Sequence, residues 1–167
     1  MCNGYPILSI LVFLPLAGGL LLVPFWKRES VAKAIALFVA SLELIISCWA
    51  YGKAPVISAG SSLLPGFFLT EDIDWISRFG IRYSLGMDGI SLLLTMLTAF
   101  IIVIAMIVAW QGVNRKGTLH YLLILGMETG IMGVFLSLDL FLFYLFWEVM
   151  LIPMFFLIGI WGYANIA

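Results

Sequence analysis

The sequence predicts an all-α integral membrane protein, with five transmembrane helices and a short extramembrane β-hairpin between helices 2 and 3. Three observations lead there. First, 64% of the 167 residues are hydrophobic and 10% are charged, with a mean hydropathy of +1.19, whereas a soluble domain carries roughly 25% charged residues. Second, the apolar residues gather into long runs of about 20, each enough at about 1.5 Å per residue to cross a hydrocarbon core of roughly 30 Å. Third, the charged residues fall mostly in short stretches between those runs. A chain crossing lipid must satisfy its backbone hydrogen bonds within each segment, so the runs are read as helices.

The whole of 1–167 reads as a single membrane domain with spans at about 5–25, 31–51, 89–110, 119–138 and 140–161, and no internal repeat. In the first span Pro6 sits in the first turn, where proline is tolerated, and Pro15 with the pair Gly18 and Gly19 points to close packing or a kink. This run lacks a basic stretch before it and has Lys27 and Arg28 after it, the reverse of a signal peptide, so it is expected to be retained. The second span contains Glu43, with Ser41, Ser47 and Cys48 nearby. A structural role is expected for Glu43.

The segment 52–88 divides in two. Its Gly-, Ser- and Pro-rich first half reads as irregular loop. In the second half Ile81, Tyr83, Leu85 and Met87 alternate with Arg82, Ser84 and Gly86, the period of a half-exposed strand. Asp72–Ile76 is the expected partner, turning at Arg78, Phe79 and Gly80. Asp88 is placed to cap the third span. There Ser91, Thr95 and Thr98 share a face, read as a polar seam bonded to neighbouring helices or to its own carbonyls; a hydrated path is the less favoured reading.

The last two runs fold about Asp139. Glu128 lies 11 residues before it and Glu148 lies 9 after it, depths of roughly 16 and 13 Å. A helical hairpin therefore puts both carboxyls near the bilayer midplane, where an ionisable group is costly and functional by default. Glu148 is the leading candidate for a proton site. Tyr144, one turn before it, is expected to support it by hydrogen bonding, and Pro153, by bending the helix and freeing the Val149 carbonyl. Glu128 is a weaker candidate. Gly126, Gly130, Gly133 and Ser137 form a small-residue seam on its helix, and Glu128 points away from them, toward helix 5 and Glu148 or toward another subunit.

Net charge is −1, without a basic patch for nucleic acid. Cys2 and Cys48 are too few for a disulfide framework or a metal site, and no Gly-rich phosphate loop or Cys cluster points to a nucleotide, flavin or iron–sulfur group. No cofactor or metal is therefore expected on this chain. Lys27, Arg28, Lys33, Arg115 and Lys116 lie on one side of the membrane, and Lys53, Arg78 and Arg82 lie on the other beside Glu71, Asp72, Asp74 and Asp88. The positive-inside rule then places the N-terminus outside and the C-terminus inside.

The motifs GMDGISLLLTMLT and GIMGVFLSLDLFLFYLFWEVMLIPMFFLIGIWG resemble the N-terminal part of the antiporter-like subunit M (chain 4) of respiratory NADH:quinone oxidoreductase, complex I. The FWE, LIPM and IWG elements carry the likeness, with GVF and LD ahead of them in register. The resemblance implies proton translocation coupled to electron transport, with Glu148, the glutamate of FWE, as the proton site. It implies a non-redox subunit without an active site of its own, partnered by membrane-arm subunits that include neighbouring antiporter-like ones, and by lipids. The implied location is an energy-transducing membrane: a bacterial cell membrane, or an organelle inner or thylakoid membrane. Family members continue into a broken helix and a lysine relay that are missing here. The chain is thus expected to be a fragment, or one piece of a split subunit, and not to pump alone. Two other readings stand beside this one: a subunit of a multisubunit Na+/H+ antiporter or membrane-bound hydrogenase, and a truncated, non-transporting fragment.

Overall fold

A computed structural model of the chain describes residues 6–57, 66–113 and 117–162. Five α-helices follow in order: α1 (Ile7–Leu22), α2 (Glu29–Ile57), α3 (Gly89–Gly112), α4 (Gly117–Leu136) and α5 (Leu140–Trp161). All five contain a span long and apolar enough to cross a membrane. Between α2 and α3 stand two antiparallel strands, β1 (Leu69–Ile76) and β2 (Ile81–Met87). The expected architecture of five membrane helices and one β-hairpin is therefore present.

Two details differ from the sequence reading. The second helix does not stop near residue 51 but continues to Ile57, so the start of the Gly/Ser/Pro-rich stretch is helical. Most of the rest of that stretch, 58–65, lies outside the described residues, as do Arg115 and Lys116. The hairpin is also longer, because β1 begins at Leu69, which pairs with Met87. A short 3₁₀ turn over Ser77–Phe79 connects the strands and ends at Gly80 with φ 68°, a left-handed conformation open to glycine without a Cβ penalty.

α4 is the axis of the bundle. It packs against α1, α2, α3 and α5, and 56% of its span is buried, against 17% for α5. The small-residue seam explains how α5 comes so close. A Cβ added to Gly130 would stand 2.5 Å from Met150 Cβ, and one added to Gly133 would enter the ring of Phe146. Small residues let helices in lipid gain dispersion contacts that larger ones would block. Gly18 does the same for α1 and α2, where an added Cβ would meet Val39 Cγ1 at 2.6 Å.

The hairpin binds the helix ends together. The Glu71 carboxylate accepts from Leu8 N at 2.7 Å, Ser9 N at 3.1 Å and the Ser9 hydroxyl, so it supplies the free N–H groups that begin α1 with acceptors. Tyr83 Oη lies 2.9 Å from Ser9 Oγ. Burial pushes the Tyr83 hydroxyl above its ordinary range; the bond to Ser9 opposes this and Glu71 adds to it. Leu138 N donates to Ser84 O at 2.9 Å, which fastens the α4–α5 connection to β2. Asp88 caps α3 through a reciprocal pair with Ser91. At the far end of the bundle Glu29 Oε1 accepts from Gly117 N at 3.3 Å, and Lys33 Nζ donates to Trp110 O at 3.0 Å.

Two apolar clusters fill the interior. One lies under the hairpin and includes Leu11, Leu85, Met132, Leu136 and Phe146. The other lies toward the far end and includes Leu22, Ala36, Met106, Tyr121 and Leu125.

Candidate functional site: two sets of intramembrane carboxyls

α5 starts where Asp139 halts α4, because the Asp139 carboxylate accepts from Phe141 N at 2.9 Å and Leu142 N at 3.1 Å. Nine residues on, Glu148 stands on the open face of the helix, exposed in this chain along with Tyr144, Trp147, Ile152 and Phe155. Tyr144 lies one turn before Glu148 on that same open face. α5 continues as one helix through Pro153, which is buried and faces α4, its Cγ 3.9 Å from the site of a Gly126 Cβ. Proline cannot donate to the Val149 carbonyl, which lies one residue from Glu148.

Glu128 occupies a different place. Its side chain is fully buried on the side of α4 away from the glycine seam, and it faces Glu43 of α2, not Glu148. The two carboxyls lie within electrostatic reach of one another, yet none of their four oxygens has a hydrogen-bond partner among the described residues. Glu43 is fully buried too. The sequence reading gave this residue a structural role and did not bring it together with Glu128; the signal for that pairing is register. α2 and α4 are separated by one helix and so run the same way, and they begin level where Glu29 meets Gly117. Glu43 lies 14 residues past Glu29, and Glu128 lies 11 past Gly117, rises of roughly 21 and 17 Å. Parallel helices with a common start bring such residues together.

The pair sits where the two apolar clusters meet, with Ala40 and Leu125 in one cluster and Ala50 and Met132 in the other. Ser47, one turn past Glu43, is also fully buried, and its hydroxyl has no partner among the described residues. By contrast, the α3 hydroxyls are satisfied locally. Thr95 Oγ1 donates to Leu92 O at 2.9 Å and Thr98 Oγ1 to Leu94 O at 2.8 Å, and Ser91 serves the cap of Asp88. Of the two bonds the favoured reading allowed, to neighbouring helices or to the helix's own carbonyls, Thr95 and Thr98 make the second. Among the described residues no group of three or more His, Cys, Asp or Glu is placed to hold a metal ion.

The chain is similar to subunits of NADH-quinone and NAD(P)H-quinone oxidoreductases along nearly its whole length. It is 37% identical over 164 residues to NADH-quinone oxidoreductase subunit M of Pseudomonas aeruginosa, an alignment covering 95% of this chain and 32% of the relative. Against the same subunit of Escherichia coli K12 it is 35% identical over 161 residues, covering 94% and 31%. NAD(P)H-quinone oxidoreductase chain 4 of the Mesostigma viride chloroplast is 37% identical over 162 residues, covering 96% and 31%. The chain thus spans about a third of the length of the curated relatives it matches. No protein-family profile matches it. In fold it resembles a chain of the membrane-bound sulfane sulfur reductase, an archaeal respiratory membrane complex, with a TM-score of 0.74 at 22% identity over 91% of this chain and 23% of that one. The likeness read from the FWE, LIPM and IWG motifs is borne out by these relatives.

Proposed function

From its similarity to subunit M and chain 4 of NADH-quinone oxidoreductases, we propose that this chain is the N-terminal portion of an antiporter-like membrane subunit of complex I, and that it takes part in proton translocation coupled to electron transport. Its role is non-redox and it carries no cofactor. NADH oxidation and quinone reduction belong to other subunits of the assembly, which with lipid are its partners in an energy-transducing membrane. The N-terminus lies outside and the C-terminus inside.

Glu148 is the proton site of this reading, and the observation that carries it is the placing of that carboxyl. An acid near the middle of an apolar span, on a face left open by its own chain, needs a proton, a hydrogen bond or a cation to remain in lipid. Tyr144, one turn away on the same face, is the residue placed to supply a hydrogen bond. A polar or cationic group on whatever covers α5 supplies the rest, and movement of that group relative to Glu148 would favour loading or release of a proton. Pro153 donates no hydrogen bond to the Val149 carbonyl beside the site. An acid that must meet a partner across an interface is suited to exchange, because motion of the partner changes its surroundings.

The test is Glu148→Gln in the complete assembly, with NADH oxidation and proton uptake measured on the same vesicles. The expected result is assembly with proton translocation lost or reduced at least tenfold. Translocation at the wild-type level would overturn the assignment.

A further inference from the structure

The buried polar atoms left without hydrogen-bond partners, among the described residues of the membrane helices, all belong to α2 and α4. They are both carboxyl oxygens of Glu43 and of Glu128, the hydroxyls of Ser47 and Tyr121, and His120 Nδ1. Such atoms are rare in folded proteins and are normally met by protein groups or by water. Helical spacing puts four of the groups in one line. Tyr121 is seven residues, two turns, before Glu128; Ser47 is one turn after Glu43. Measured from the common start at Glu29 and Gly117, the order along the seam is Tyr121 at roughly 6 Å, Glu128 at 17 Å, Glu43 at 21 Å and Ser47 at 27 Å. Successive steps along the axis are roughly 11, 4 and 6 Å.

Charge makes the centre of this line special. Two carboxylates side by side in an apolar interior repel strongly, and separate ionisation of both is the costliest arrangement open to them. Among the described side chains no lysine or arginine is placed beside them: α1, over Ile7–Leu22, and α3, over Gly89–Gly112, contain no charged residue, Lys33 of α2 is held at the far end by Trp110 O, His120 of α4 lies beside Tyr121 at that same end, and Glu148 is on the other side of α4. Glu29 is the nearest further acid, beside Tyr121 at the far end.

We propose that the α2–α4 seam is a second proton-carrying file, in which Glu43 and Glu128 hold one proton between them and Tyr121 and Ser47 link the pair through water toward the two ends. The ligand is the proton itself, delivered as hydrated H+. A proton arriving from water on the Tyr121 side binds a Glu128 oxygen, and the proton already held leaves Glu43 to water on the Ser47 side, so the pair returns to its starting charge. The file is separated from Glu148 by the body of α4 and does not depend on the role assigned to that residue.

Infrared difference spectroscopy on the full chain in lipid nanodiscs tests this, in a Glu148→Gln background so that the α5 acid is silent. The expected result at neutral pH is a protonated-carboxyl band worth one acid, which shifts on transfer to D2O and is lost in Glu43→Gln/Glu128→Gln. Tyr121→Phe, which removes one oxygen and leaves the ring, is expected to slow the D2O shift severalfold without changing the size of the band. A band that persists in the double glutamine variant, one that never shifts in D2O, or one that shifts at the same rate in Tyr121→Phe would overturn the proposal. If the double variant does not fold, carbon-13 labelling of glutamate identifies the band in the parent, and the Tyr121→Phe rate decides.

Discussion

At the scale of single residues, the acids of this chain divide by what surrounds them. Asp88 is the simplest: the backbone N–H and hydroxyl of Ser91 hold its carboxyl below the ordinary carboxylate range. A group whose folded value is depressed stabilises the fold above its unfolded value, near 4, and loses that contribution as pH falls through the folded one. Thermal stability in detergent should therefore fall below about pH 4, and Asp88→Asn should flatten that part of the profile. Asp88→Ala should cost about 1 kcal/mol at neutral pH, the usual worth of an N-cap. The Asp88 cap was legible in the sequence because its spacing from Ser91 is local. That Glu148 and Tyr144 share a face is local in the same way, the two being one turn apart. The Glu43–Glu128 pairing was not legible, because it joins residues 85 positions apart, and only the shared starting level of α2 and α4 makes the two depths comparable.

At the scale of elements, the glycine seam and the hairpin do most of the organising. Gly133→Leu would force a side chain into the space of the Phe146 ring. It should separate α4 from α5 at a cost of about 3 kcal/mol or more, read as loss of the folded fraction in detergent titrations. Gly52 meets no atom where its Cβ would stand, so Gly52→Ala should be tolerated, as a mild gain in helix propensity. The seam could be read from the sequence, since Gly126, Gly130 and Gly133 recur at helical spacing. The strands could also be read, since alternation reports a half-buried surface directly. What alternation does not encode is attachment. The contacts of Glu71 with α1 and of Ser84 with Leu138 are made between elements, so sequence periodicity is silent about them. Glu71→Ala should leave α1 with unsatisfied N–H groups and lower stability by about 1–2 kcal/mol. Arg82→Ala should change little, because its bridges to Asp72 and Asp74 are largely exposed.

At the scale of the whole molecule, α4 is enclosed while α5 turns a broad apolar face outward with one acid in it. Lipid alone suits the aromatic and aliphatic side chains of that face but not Glu148. The chain should accordingly bind a further membrane segment along α5. Crosslinking from a photoreactive residue at Phe155 in native membranes should capture a polypeptide segment in preference to lipid. The general architecture was legible because membrane solvation constrains every span in the same way, so length and apolarity suffice. The far reach of α2, to Ile57, was not, since Gly52 and Pro55 read as breakers when taken one at a time. The hairpin has one more consequence, which concerns the order of events during synthesis. Glu71 is 63 residues downstream of Leu8, whose N–H it receives, and translation at roughly 5–20 residues per second sets them about 3–12 s apart. For those seconds the first helix has entered the membrane without its cap. Its cap can close only once the hairpin has been made, so the first helix is seated later than its place in the chain suggests.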